Sequence, residues 1–181
     1  MKKLLFLGVA LITFTTATAS YATTKANSVI LSLDGGYEYF APKRHLQNTA
    51  VGYGIVGYNF TNHWGIEGMA GTFTSYSRRN SNYDANIRGT IVAVDGVYHF
   101  TPCFQRIEPF VLAGVGAMHL SNNGPDADNE GNINAGIGAH IFANEVVALR
   151  LEARDLYTIV GGKNDVILAV GVTAFLNRCC T

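Results

Sequence analysis

Val147-Ala148-Leu149-Arg150-Leu151-Glu152-Ala153-Arg154 alternates between two kinds of side chain. In an extended strand successive Cβ atoms point to opposite faces, so Val147, Leu149, Leu151 and Ala153 share one side and Arg150, Glu152 and Arg154 the other. The apolar side holds no charge, and the opposite side holds charges of both signs that can pair. A strand that faces water on one side rarely carries so clean an apolar face beside so dense an ionic one. A strand with lipid on one side and a narrow polar interior on the other requires both.

The same alternation runs outward from this stretch in both directions. Before it, Ile133, Ala135, Ile137, Ala139 and Ile141 oppose Asn132, Asn134, Gly136, Gly138 and His140. Near the start, Val29, Leu31, Leu33, Tyr37 and Tyr39 oppose Ser32, Asp34, Gly36 and Glu38. Period-two segments are expected at 28–40, 49–60, 64–76, 84–100, 108–120, 132–142, 146–157 and 165–176. Each is close to the ~9–11 residues that a tilted strand needs to cross a bilayer. Short links at Thr61-Asn62-His63 and Ala143-Asn144-Glu145, and a longer one at 101–107, fall on one side. Polar loops around Pro42-Lys43-Arg44-His45, Ser77-Arg78-Arg79-Asn80, 122–130 and Val160-Gly161-Gly162-Lys163-Asn164 fall on the other. The expected fold is all-β: an eight-stranded antiparallel up-and-down transmembrane barrel. Closure is obligatory there, because each unpaired backbone group in hydrocarbon costs several kcal/mol.

Composition agrees with strands. Twenty glycines, nine tyrosines and ten phenylalanines accompany only four prolines, and charged residues make up 14%. Tyr58, Phe60, Trp64, Tyr98 and Phe100 flank the short turns, where an aromatic girdle marks a membrane boundary. Met1-Lys2-Lys3, an apolar run at 4–14 and Ala19-Ser20-Tyr21-Ala22 have the layout of a secretory signal peptide. Residues 1–22 are expected to be removed, leaving 23–181 as one barrel domain. The mature chain then has 13 − 2 = 11 basic against 13 acidic residues, a balance that gives no reason to expect a nucleic-acid partner. The expected location is the outer membrane of a Gram-negative bacterium, with both mature termini in the periplasm.

Trp64-Gly65-Ile66-Glu67, Val97-Tyr98-His99-Phe100, Pro109-Phe110-Val111 through Gly116, and Leu149-Arg150-Leu151-Glu152 resemble, in order and spacing, the OmpA-like family of small outer-membrane barrels, opacity-type surface proteins included. The resemblance implies that Glu67 on strand three pairs with Arg150 on strand seven inside the barrel. A second family pair, between strands four and six, would fall on Asp95 and His140 with its signs reversed. Glu152, Arg154 and Asp34 would complete an ionic interior. The family often ends on an aromatic residue that the outer-membrane assembly machinery reads; here Phe175 stands out of phase with that position. The implied role is structural or surface-interacting: envelope integrity, adhesion or contact with lipopolysaccharide and outer-membrane lipid, with host or other surface ligands met through the loops.

His119-Leu120-Ser121-Asn122 is similar to the His-x-Ser-Asn of lipid A deacylases, which are also eight-stranded barrels, but it ends strand five and Glu130 lies in a loop. No catalytic residue is therefore assigned, and a hydrolase using His119 and Ser121 stays as an alternative beside a narrow, low-conductance channel. Asp126, Asp128, Glu130 and Gly131 open like a calcium loop, but Ile137 occupies the position where a bidentate glutamate is needed. Lys43-Arg44 and Arg78-Arg79 are candidate phosphate contacts at the outer leaflet. Cys103 is expected to form a disulfide with Cys179 or Cys180 across a barrel mouth about 15 Å wide, since export exposes thiols to oxidation. No cofactor and no metal site are read from the sequence.

Overall fold

The computed structural model describes residues 23–76, 86–101, 106–121 and 129–177. Eight antiparallel strands run β1 Ser28–Tyr39, β2 Thr49–Asn59, β3 Trp64–Tyr76, β4 Asn86–His99, β5 Ile107–Ser121, β6 Asn129–Phe142, β7 Val147–Thr158 and β8 Lys163–Asn177. Each pairs with its sequence neighbours, and β1 pairs with β8, so the sheet closes. The expected signal segment and all three cysteines lie outside the described residues, as do Arg78, Arg79, Asp126 and Asp128.

One end carries the chain termini and the short turns and is called the turn end. The β2–β3 turn closes with Phe60 N–H donating to Trp64 O at 2.9 Å, and Thr61 Oγ1 accepts the Trp64 amide at 2.9 Å. In the β6–β7 turn Asn144 Oδ1 accepts the amides of both Val146 and Val147 at 2.8 Å. Side-chain oxygens thus stand in for the missing ladder partners, which is why Thr and Asn sit at these turns. The opposite, loop end begins with a single 3-10 turn at Pro42–Arg44. His45 follows in the left-handed region (φ 53°), and the loop folds back over the barrel mouth.

The outer face is apolar over its middle, as a lipid-facing wall requires. Leu33, Val56, Val115, Ile137, Val170 and Val172 all point outward, Leu33 with 76% of its surface exposed. Trp64, Tyr98 and Phe100 form an edge-to-face series at the turn end, with ring centroids 4.9 and 5.0 Å apart. A second outward set of Tyr37, Tyr39, Tyr76 and Tyr157 stands toward the loop end. The two aromatic sets bracket the apolar band.

Inside, the strand alternation produces layers. A turn-end layer holds Ile30, Phe142, Ala148 and Phe175. A belt of charges crosses the middle. Above it lies an apolar layer that includes Ile55, Met69, Phe73, Ile91, Met118 and Ile167. This apolar layer was not expected from an interior read as ionic. It arises because β2 to β5 place their large side chains inward and glycine, alanine or threonine outward at Gly52, Gly68, Ala70, Thr72 and Ala117. Inward glycines leave room for long neighbours: a Cβ at Gly171 would overlap the Asp34 carboxylate, and one at Gly114 would overlap the Asp95 carboxylate.

Candidate functional site

The charged belt is the densest chemistry in the described residues. Arg150 on β7 donates from Nη1 and Nη2 to the two carboxylate oxygens of Glu67 on β3, at 3.0 and 2.8 Å. The same guanidinium reaches Glu152 Oε2 from Nε at 2.9 Å and from Nη2 at 2.6 Å. Glu152 Oε1 accepts from Arg154 Nε at 2.7 Å, and Arg154 Nη1 donates to Asp95 Oδ2 at 2.7 Å. The result is one unbroken chain, Glu67–Arg150–Glu152–Arg154–Asp95, in which every member is buried.

Strand register explains the order. Glu67 and Asp95 are direct cross-strand neighbours on β3 and β4, where two like charges repel. Each turns toward a different arginine, and the arginines stand four residues apart on β7 with Glu152 between them. A bidentate guanidinium satisfies two carboxylate oxygens at once, the geometry for which Arg is suited and Lys is not.

Asp95 does not meet His140, contrary to the pairing that the family resemblance placed there. β6 carries His140 opposite Arg150 and toward the turn end, whereas Asp95 lies opposite Gly114 nearer mid-barrel. Asp34 also falls short of the salt-bridged interior expected for it. It is buried opposite Gly171, and neither carboxylate oxygen has a hydrogen-bond partner among the described residues.

His140 belongs to a different group. Its ring stacks on Phe110 at 4.8 Å and lies edge-on to Phe175 at 5.2 Å. The His99 ring stacks beside it at 5.6 Å, and His99 Nδ1 is 3.2 Å from Glu108 Oε1. Glu108 in turn accepts the Thr24 amide at 2.8 Å and the Thr24 hydroxyl. Thr24 is buried too, so the segment before β1 runs across the turn-end mouth. Ala26 N–H to Asn62 Oδ1 at 2.8 Å and Lys25 Nζ to Glu145 at 3.0 Å pin that segment to two turns. The sequence offered no cue to this trio, because His99, Glu108 and His140 lie on three different strands.

The loop end is closed by Arg44. Its Nε donates to Asp165 at 2.5 Å, Nη1 to Glu130, and Nη2 to Thr158 Oγ1 at 2.6 Å. Lys163 Nζ adds a second contact to Glu130 at 2.5 Å, and the Ala41 amide donates to Asp165 at 2.9 Å. Arg44 was expected as an outward phosphate contact. It is buried instead, because two inward acids at the barrel rim attract it and the Pro42–Arg44 turn aims it downward. Lys43 remains exposed.

The His119 and Ser121 side chains point to the outer face, two residues apart on β5. The His119 ring engages Asn129 Oδ1 at 2.6 Å, and Glu130, the next glutamate along the chain, is held inside by Arg44 and Lys163.

The comparisons with known proteins agree with this architecture. The profile of the outer membrane protein beta-barrel domain family matches residues 7–174. No curated protein sequence matches the chain. The chain is similar in fold to the N-terminal β-barrel domain of Pseudomonas aeruginosa OprF (TM-score 0.63, 18% identity, 83% of this chain and 98% of that one). It is also similar to Neisserial surface protein A (TM-score 0.67, 12% identity, 81% and 96%). A third similar structure is the attachment invasion locus protein Ail of Yersinia pestis in complex with the heparin analogue sucrose octasulfate (TM-score 0.57, 12% identity, 83% and 99%). With its closed eight-strand wall, aromatic girdles and matched profile, the chain belongs to the outer membrane protein beta-barrel domain family.

Proposed function

We propose that the chain is a non-enzymatic outer-membrane barrel with a structural and surface-interaction role. In this reading the turn end and both termini face the periplasm, and the four longer loops face outward. The observation that carries it is the filled interior. From the turn end upward the barrel holds an aromatic and histidine layer, the five-member ionic chain, an apolar layer and the Arg44 rim network. Such an interior leaves surface interaction to the outer wall and the loops. Side chains fill an eight-stranded barrel, unlike the wider barrels that enclose aqueous channels.

Lipid and lipopolysaccharide are the first expected partners. Lys43 is exposed at the loop end, and the Arg78-Arg79 pair of the β3–β4 loop adds two cations that suit phosphate. The Ail complex with a sulfated sugar analogue lends support by likeness of fold, because it places a polyanion on a barrel of this size. Insertion through the outer-membrane assembly machinery belongs to the same proposal.

Planar-bilayer recording tests the filled interior. The native chain is expected to give no steady open conductance, and so is Arg44→Ala, because the apolar and ionic layers beneath the rim still fill the barrel. A large steady native conductance would overturn the structural reading in favour of a channel. In the same preparation, lipid A deacylation is expected to be absent from both the native chain and Ser121→Ala. Turnover that disappears in Ser121→Ala would establish the hydrolase instead.

A further inference from the structure

We propose that His99, Glu108 and His140 form a binding site for one divalent first-row transition-metal ion, with Zn²⁺ the best chemical match. One donor atom from each residue lies within 4.8 Å of the other two, and all three residues are buried. Two imidazoles and one carboxylate form a donor set that zinc accepts with a fourth position left open, and the same set suits other first-row dications.

Three further observations point to a ligand. Both ring nitrogens of His140 and Nε2 of His99 lack a hydrogen-bond partner among the described residues, and His99 Nδ1 has only its 3.2 Å approach to Glu108, although both rings are fully buried. Buried polar atoms are nearly always satisfied, and fully buried imidazole nitrogens without a hydrogen-bond partner, one from each ring within reach of the same cluster, call for a partner that is not protein. Next, Glu108 is already oriented: the Thr24 amide and hydroxyl hold its carboxylate, the kind of outer support that fixes a metal-binding carboxylate. Finally, the charge balance favours a cation. The buried carboxylates of Asp34, Glu67, Asp95, Glu108 and Glu152 face the guanidiniums of Arg150 and Arg154, an excess of 5 − 2 = 3 negative charges when all are ionised. Arg150 is the nearby cation that opposes a metal. It packs on the Phe110 ring, 4.6 Å from the centroid, and Glu67 and Glu152 hold its charge.

The geometry also sets what binding does. Ligand atoms on a tetrahedral ion with bonds of ~2.0–2.1 Å stand about 3.4 Å apart. Binding therefore draws the two rings and the carboxylate inward, and the aromatic walls of Phe110 and Phe175 guide that motion. The ion would tie β4, β5 and β6 together at the turn end and, through Glu108, hold the Thr24 segment across the mouth.

The test uses the full chain purified from outer membrane in detergent, with Cys103, Cys179 and Cys180 replaced by serine so that thiols take no metal. Zn²⁺ alone is titrated into the chelator-stripped barrel by calorimetry. The ring-nitrogen shifts of its five histidines are followed by NMR in parallel. The expected result is one equivalent bound, with ring shifts confined to His99 and His140. His99→Gln and His140→Gln should each weaken binding at least about tenfold, the loss that even an outer-shell change produces. Heat-dependent gel mobility shows whether each variant is folded. If a variant does not fold, the ring shifts of the unsubstituted histidines decide. No stoichiometric uptake by the folded barrel, undiminished uptake by a folded His99→Gln or His140→Gln, or shifts only at His45, His63 and His119 would each overturn the site.

Discussion

Replacing Arg150 by methionine keeps most of the side-chain volume and removes the guanidinium at the centre of the ionic chain. Arg150 makes two hydrogen bonds to Glu67 and two to Glu152, all between 2.6 and 3.0 Å. Without it, Glu67 has no other hydrogen-bonding partner among the described residues, while Glu152 keeps Arg154. Breaking a buried pair by deleting one partner costs about 3–5 kcal/mol, and R150M is placed at the upper end because two carboxylates lose their donor. Glu67→Gln is gentler, because Arg150 keeps Glu152 and the amide oxygen still accepts one hydrogen bond. Its expected cost is about 1–3 kcal/mol. The double variant should cost less than the two single changes added together, since the carboxylate stranded by R150M is gone. Urea unfolding in lipid vesicles, followed by Trp64 emission and by heat-dependent gel mobility, measures all three values. A cost for R150M below about 1 kcal/mol, or strict additivity in the double variant, would show that the chain of pairs does not act as one buried network.

Two other outcomes follow from the wall. Leu33→Arg places a charge on the most exposed apolar position of the outer face and should cost about 2–4 kcal/mol in vesicles if that position lies near mid-membrane; a negligible cost would mean that the face meets water. Gly171→Ala pushes a methyl group into the Asp34 carboxylate and should destabilise by about 1–3 kcal/mol, whereas Gly52→Ala, with open space beside it, should change little in the same urea assay.

Much of the wall was legible because strand alternation is a local signal. On β1, β6 and β7 the polar and apolar faces differ in charge, so Leu149 and Arg150 declare their sides within a few residues. On β2 to β5 both faces lack charge apart from a few positions such as Glu67, Asp95 and Glu108. Alternation there sets large against small, and the sequence did not announce that Met69 and Phe73 point inward to build an apolar layer. The site was less legible, because its contacts depend on how far each strand is offset around the barrel. Asp95 reaches Arg154, 59 positions away, and His140 turns to His99, and neither partner can be chosen without that offset. Arg44 gives the same lesson for loops. Beside Lys43 it reads as half of an exposed basic pair, yet its anions, Glu130 and Asp165, are 86 and 121 positions along the chain.

The joint between the first and last strands has a consequence for traffic. β1 and β8 are paired along the whole of β1, from Ser28 with Asn177 to Tyr39 with Val166, while β2 and β3 match only from Val51 with Phe73 to Asn59 with Gly65. A barrel that passes lipid sideways needs a frayed closing seam through which an acyl chain can slip. Here the closing seam is paired as fully as the seams within the wall, so bilayer and interior are separate compartments. Anything that reaches the interior must travel along the barrel axis, past Arg44 at one end or Thr24 at the other.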